Sequence, residues 1–343
     1  MLGQPHAGDA GNGRYAATLV RALRQTRPEA DVQALVAYPG TGDDLGDAPT
    51  IMVPARNVSR LSRGAPRALA GSDAAVFHYV VPPRAPCPLL VIVHDPSFRM
   101  FPEWTDRRTR WLLNSLVPAS VRRARRVIAV SHRVKEDIVE TLGVEPDRID
   151  VVRTAPDPRF HPRSGADARV AGRFGLGRYC LAVGDVHPRK NIAALAEAVR
   201  NVGGLELALV GTLGHLGNEI VGGLDSARFL GRVTDEELAD LYRAATVTAY
   251  PSLYEGFGLP VIEAMACGSP VVASDRGAIP EVAGDAAVLV EPVPGAIAEG
   301  IRAALEPETA DRLRAAGLVR ASEFTHEATG HAGWAAIDNA TGT

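Results

Sequence analysis

From one end of the chain to the other, short apolar runs alternate with longer stretches in which apolar residues recur at helical spacing. Such runs, bounded by turn residues, read as strands buried on both faces, and their alternation with helices predicts βαβ units and parallel sheets. In the first half, strands are predicted at Val32–Ala37, Ala75–Val80, Leu89–Val93 and Val127–Val130. Helices are predicted at Tyr15–Gln25, Asp106–Ala124 and Arg133–Leu142, with Ser131 as N-cap of the last. The pattern breaks off over Thr154–Arg163, where Pro156, Pro158 and Pro162 predict a linker. It resumes with strands at Tyr179–Val183, Leu205–Val210, Thr246–Ala249, Val271–Ala273 and Ala287–Val290, and with helices beginning near Arg189, Thr234, Pro260 and Gly295. The expected fold class is α/β, with a Rossmann-like domain over residues 1–155 and a second over 156–323, facing a central cleft. A C-terminal helix over 324–343 is expected to pack back toward the first domain.

Composition narrows the class without changing that outline. With 46% hydrophobic and 22% charged residues the chain has the balance of a folded enzyme with a sizeable core. A net charge of −3 lacks the basic excess of nucleic-acid binders, so no nucleic-acid partner is expected. Cys87, Cys180 and Cys267 lie far apart, without the spacing of a disulfide framework or a metal site. No segment approaches the roughly 20 apolar residues of a membrane span, and a cytoplasmic protein is expected. Arg107, Arg108, Arg110, Arg122, Arg123, Arg125 and Arg126 form a basic stretch that reads as a solvated helix face or as a weak peripheral contact with anionic lipid or a phosphorylated acceptor.

The densest chemical signal is Tyr254-Glu255-Gly256-Phe257-Gly258-Leu259-Pro260 followed by Val261-Ile262-Glu263. A strand ending near Pro251, a glycine-rich turn and a helix opened by Pro260 make an anion cradle of backbone N–H groups. Glu263 is placed where a carboxylate can bond a ribose diol, and Glu255 sits on the loop beside the position of a sugar. Taken singly, either glutamate is also explained as a helix-start carboxylate answering the macrodipole.

A second signal is Gly184-Asp185-Val186-His187-Pro188-Arg189-Lys190-Asn191, another strand end, turn and helix start. Two cations at a helix N-terminus have the wrong sign for the macrodipole, so an anion such as a diphosphate accounts for them better than solvation does. Only Lys135 and Lys190 among the 37 cationic side chains are lysines, which singles out Lys190.

Through these motifs the second half resembles the retaining glycosyltransferases of family 4, the GT-B group, over Tyr179–Leu305. "GDVHPRKN", "FLGRVTDEELADLYRAA", "YPSLYEGFGLPVIEAMACGSPVVAS" and "IPEVAGDAAVLV" carry the resemblance. It implies that Arg189 and Lys190 hold the donor diphosphate, that Glu263 contacts the ribose and Glu255 the donor sugar, and that amides over Gly256, Phe257, Gly258 and Leu259 hold sugar and phosphates. In the first half Gly11-Asn12-Gly13-Arg14-Tyr15 resembles the glycine loop that opens the acceptor domain. His94-Asp95-Pro96, at the end of a strand, resembles the His-Asp pair of mannosyl- and glucosyltransferase-like members, whose His faces the reacting sugar. Only Met1-Leu2-Gly3 precede Gln4, so the strand that leads into the glycine loop in the family is expected to be truncated, with either the functional start upstream of Met1 or the first domain weakened and its glycine loop poorly placed.

The implied reaction is transfer of a hexose from a nucleoside-diphosphate sugar, GDP-mannose first and a UDP- or dTDP-sugar next, to a glycan, lipid-linked or small-molecule acceptor with retention. No cofactor is expected beyond the donor, and no metal, because no Asp-x-Asp motif occurs. Two other readings stand beside it: an inactive homologue that binds nucleotide sugar, and a nicotinamide-dependent dehydrogenase using Gly11-x-Gly13-x-x-Ala16 as its cofactor loop.

Overall fold

A computed structural model describes residues 10–37, 45, 47–54, 59–214, 216–224 and 227–343. The chain divides into two compact units, one running to Ala155 and taking in Phe324–Thr343, the other spanning Pro156–Glu323.

The first unit is built on a four-stranded parallel sheet of β3 (Ala75–His78), β4 (Leu89–Val93), β5 (Arg126–Ala129) and β6 (Ile149–Val151), in that order. β4 is buried at all five positions, as its unbroken apolar run requires. A separate parallel pair joins β1 (Ala34–Val36) to β2 (Thr50–Met52). The helices of this unit include α1 (Ala10–Thr26), α2 (Arg107–Arg123) and α3 (His132–Leu142). Ser131 caps α3 by accepting from Val134 N at 3.1 Å, and Gly143 closes it in the left-handed region at φ 64°. The C-terminal helix His326–Thr341 packs on α1 by close backbone approach. A Cβ at Gly330 would stand 2.5 Å from Ala22 O, and Trp334 Nε1 donates to Leu23 O at 3.0 Å. Arg27 pairs with Asp338 at 2.5 Å and lies over the Trp334 ring.

One sequence expectation changes in this unit. Gly11 and Gly13 stand in the first turns of α1, not in a loop, and a Cβ at either would meet no atom within 4 Å. The apolar periodicity from Tyr15 onward tolerates glycine upstream of it, so the helix extends back through both positions. The strand expected to lead into them falls on residues 1–9, outside the described residues.

The second unit holds a six-stranded parallel sheet in the order β12-β11-β10-β7-β8-β9. Its strands are β7 (Tyr179–Val183), β8 (Glu206–Val210), β9 (Ala227–Gly231), β10 (Val247–Tyr250), β11 (Val271–Ser274) and β12 (Val288–Val290). Renumbered from β7, this is the doubly wound order 3-2-1-4-5-6, whose direction of winding reverses between the first and fourth strands. The reversal falls between β7 and β10. Leu195, Leu207, Leu209, Ile297 and Ile301, all buried, pack one face of the sheet. The helices that flank the reversal are α4 (Ile192–Val202), α5 (Asp235–Ala244) and α6 (Leu259–Ala266). α5 opens with a reciprocal cap, Glu237 N donating to Thr234 Oγ1 and Thr234 N to the Glu237 carboxylate.

Candidate functional site

The loops that leave β7 and β10 meet at the reversal and are sewn together. Gly184, at φ 134°, ends β7, and a Cβ there would press to 3.0 Å from Lys190 Cε. A Cβ on Gly211, after β8, would fall 2.0 Å from Gly184 O, so both strand ends need glycine. The chain then makes a tight 3-10 turn over Pro188–Lys190, capped by His187, whose Nδ1 accepts from Arg189 N at 3.2 Å. α4 starts only at Ile192, so Arg189 and Lys190 precede the helix instead of forming its first turn. Asn191, which tolerates φ 56°, donates to Pro292 O at 2.8 Å and to Pro251 O at 3.3 Å. Leu253 N returns a bond to Arg189 O at 2.8 Å.

These stitches bring Arg189, Lys190 and Glu255 into one buried cluster. Arg189 donates to Glu255 Oε2 and Lys190 to Glu255 Oε1, each at 2.7 Å. Arg189 also reaches Tyr254 O at 3.1 Å, and Lys190 reaches Tyr250 Oη at 2.5 Å with its ammonium 4.5 Å from the ring centre. The carboxylate that answers the two cations is therefore the chain's own. Burial alone pushes the Glu255 carboxyl upward, but Arg189 and Lys190 outweigh it and hold the pKa down at about 2. Burial lowers the pKa of Lys190, with Arg189 adding to that and Glu255 opposing it. Two cations around one carboxylate leave this triad one positive charge in excess.

Glycines fix the Glu255 loop as well. Gly258 stands at φ 101°, and Gly277 at φ 58° passes so close that a Cβ would lie 2.5 Å from Glu255 O. Ala278 N donates to that same oxygen at 2.9 Å, and Ser274 Oγ to Ser252 O at 2.6 Å. Glu263 lies in the second turn of α6, 1% exposed, and accepts from Tyr242 Oη of α5 at 3.1 Å. Gly256, Phe257, Gly258 and Leu259 form the turn into α6 that follows Glu255.

In the first unit, His94 follows the last residue of β4 and touches a residue that sequence reasoning passed over. Its Nε2 lies 2.6 Å from His78 Nδ1 at the end of β3, with the rings parallel to within 6°. Tyr15 of α1 sets its ring edge against both and donates to Val152 O at 2.8 Å. Burial lowers the His94 pKa to about 4 and pushes that of His78 well below the ordinary range, the neighbouring His94 adding to the latter. Both rings are neutral at pH 7 and share one hydrogen bond. Asp95 accepts from Ser97 N at 2.9 Å and so shapes the turn after the strand. The sequence motifs assign no individual role to His78, Asn191, Tyr250 or Gly277. His78 lies inside the strand expected over Ala75–Val80 and ends it only in the structure, and Gly277 precedes Ala278-Ile279-Pro280, but neither word declares its partner across the fold.

Residues 10–160 match the family described as Glycosyltransferase Family 4, and residues 177–307 match Glycosyl transferases group 1. The chain belongs to glycosyltransferase family 4. Among curated relatives, O-antigen chain mannosyltransferase B of Escherichia coli is 35% identical over 68% of this chain and 66% of its own length. The MMP alpha-(1->4)-mannosyltransferase of Mycolicibacterium hassiacum is 36% identical over 57% of this chain and 50% of its own. The chain thus spans between half and two thirds of these family members. Among solved structures, HepE of Anabaena in complex with UDP and glucose aligns over 95% of each chain, with TM-score 0.76 and 18% identity. Sucrose-phosphate synthase of Thermosynechococcus elongatus aligns over 92% of this chain and 90% of its own, with TM-score 0.72 and 23% identity. These likenesses show the GT-B fold.

Proposed function

We propose that this family 4 chain transfers a hexose from a nucleoside-diphosphate sugar to a hydroxyl acceptor with retention of configuration. The observation that carries the reading is the Arg189–Lys190–Glu255 cluster at the winding reversal of the second unit. Ligands of open α/β sheets bind outside the carboxyl ends of the strands at such a point. The excess positive charge there favours a diphosphate, and the amides opening α6 add donors aimed at anionic oxygens. In the reaction the bond from the sugar's anomeric carbon to the diphosphate breaks, the acceptor oxygen bonds to that carbon on the same face, and the departing diphosphate takes the acceptor proton. Arg189 and Lys190 stabilise the charge that develops on the leaving group, and Glu255 fixes their geometry while offering its carboxylate to the sugar. Protein cations fill this role, so turnover without a divalent ion is the expected behaviour.

The two mannosyltransferase relatives favour a mannose donor, with GDP-mannose first, and a HepE structure in complex with UDP-glucose makes that sugar the first competitor. Thermal denaturation against a panel of nucleotide sugars and NADH tests the reading. A donor at 100 times its Kd stabilises by about 2.7 kcal/mol. We expect GDP-mannose to give the largest shift and turnover to survive EDTA. A shift with NADH and none with any nucleotide sugar would overturn the proposal.

A further inference from the structure

His78 and His94 meet because of strand register. In the parallel pairing of β3 with β4, His78 is level with Ile92, and His94, two residues further on, falls on the same face of the sheet. The ring centres are 4.9 Å apart, almost the greatest separation that a 2.6 Å contact between ring nitrogens permits. The bond therefore runs along the planes of two nearly parallel rings, which is the geometry of a linear imidazole–imidazole hydrogen bond and not of face-to-face stacking. Tyr15 closes the pair from α1, its ring at right angles to both.

The backbone that presents His78 is strained. Tyr79, the next residue, stands at φ 55°, a region that residues other than glycine seldom enter. Val80 N turns back to His78 O at 2.5 Å and closes a three-residue γ-turn around Tyr79, of the rare, strained hand. Tyr79 N still donates to Ile92 O at 2.8 Å, so the turn ends the ladder just where His78 faces His94. Tyr79 Oη accepts from Asp95 N at 3.3 Å, and the turn thereby grips both members of the His94-Asp95 pair. Strain of this kind persists where the surroundings over-determine it, and it gathers at functional sites. Filling space at a strand end needs neither the strained turn nor the in-plane bond.

Two neutral imidazoles share one hydrogen bond in either of two ways, and each way fixes the tautomer of both rings. Donation from His94 Nε2–H to His78 Nδ1 leaves both rings in the Nε2–H form, the more stable tautomer of a neutral histidine. Donation the other way needs both in the less stable form. His94 is half-buried, and its Nδ1 makes no hydrogen bond to any described residue. We propose that His78 is a positioning residue for His94: its Nδ1 accepts from His94 Nε2–H, holds that ring in one orientation and one tautomer, and leaves His94 Nδ1 as a lone pair for a hydroxyl of the donor sugar. The inference rests on the transferase reading, in which the family resemblance sets His94 at the reacting sugar, and adds to it the residue that orients this histidine.

Nitrogen NMR of the full chain with labelled histidine, together with steady-state kinetics, tests it. At pH 7 the His94 ring, assigned by its absence from His94→Gln, should show a protonated Nε2 and a bare Nδ1. In His78→Phe that single state should give way to an average over both tautomers. With the sugar donor that wild type turns over, His78→Phe should lower kcat about tenfold to a hundredfold, as small misplacements of a reacting group do, and leave the Kd of the nucleoside diphosphate within about twofold. His78→Asn should recover most of the turnover and the bare Nδ1 of His94, because its amide oxygen stands where Nδ1 stood. A His94 ring protonated at Nδ1 in wild type overturns the proposal, and that spectrum decides the point even if His78→Phe does not fold. Full turnover in His78→Phe, or an equal loss in both variants with the His94 tautomer unchanged, overturns it as well. Wild-type protein that transfers no hexose from any nucleotide sugar would sink the transferase reading, and the positioning role with it, while leaving the pairing of the two rings intact.

Discussion

Removing one member of a buried charge cluster harms a protein through what it leaves behind. The sequence presents Arg189 and Lys190 as a cation pair awaiting a ligand, but in the fold Glu255 already answers both. Lys190→Ala and Arg189→Ala are each expected to lower kcat/KM at least tenfold, or about 1.4 kcal/mol in the barrier. Stability falls as well, because breaking a buried pair costs about 3–5 kcal/mol. Adding Glu255→Gln to Lys190→Ala should restore much of the stability and none of the turnover. Recovery of turnover in that double variant would mean that the cluster serves the fold alone. The carboxyl also sets a pH dependence. Its folded pKa, held at about 2, lies below the unfolded value, so its contribution is fully present above about pH 4.5 and is lost as pH falls toward 2. Denaturant titrations should therefore show wild type losing ground to Glu255→Gln across that window, by on the order of 3 kcal/mol. Parallel pH profiles for the two proteins would contradict the pairing.

At the scale of elements, legibility followed burial. Leu89–Val93 and Tyr179–Val183 were readable to the residue because strands covered on both faces leave an unbroken apolar run. The Thr50–Met52 and Ile149–Val151 strands are three residues long, too short for any periodicity, and Ala227–Gly231 lies at the sheet edge with no fully buried position. The glycine words of the site were legible as words, but which glycines the backbone requires was not, since that depends on a neighbour distant in sequence. Gly277 and Gly11 make the contrast testable. Gly277→Ala forces a Cβ against the Glu255 backbone at φ 58°, and should cost about 1–3 kcal/mol and weaken nucleotide binding. Gly11→Ala adds a Cβ where nothing stands within 4 Å of a helical position, and should raise stability by about 0.5–1 kcal/mol. If Gly11→Ala nonetheless abolishes turnover in a protein of undiminished stability, a ligand and not the fold requires that glycine.

The path of the chain through the whole molecule offers a way to separate the duties of its two units. After completing the second unit it returns at Phe324, and the helix His326–Thr341 covers α1 in the first. The helix pair depends on Gly330 and Gly333, where a Cβ would come to 2.5 Å from Ala22 O and 2.9 Å from Leu19 Cδ1. Proline density over Thr154–Arg163 predicts the first crossing, and a helix over 324–343 is expected to pack back toward the first unit, but the need for glycine at 330 and 333 is not legible, because small residues in a helix look the same whether they face solvent or another helix. Gly330→Val strikes the first unit alone. It should lower the melting temperature by overpacking α1, typically at a cost of about 1–3 kcal/mol, while the Arg189–Lys190–Glu255 cluster in the second unit remains intact. If donor nucleotide is held by the second unit, its Kd measured below the melting transition should stay within about twofold of wild type, a difference of less than about 0.5 kcal/mol. A fall in nucleotide affinity that tracks the loss of stability would show that the first unit shares in donor binding, and the assignment of that duty to the second unit would have to be abandoned.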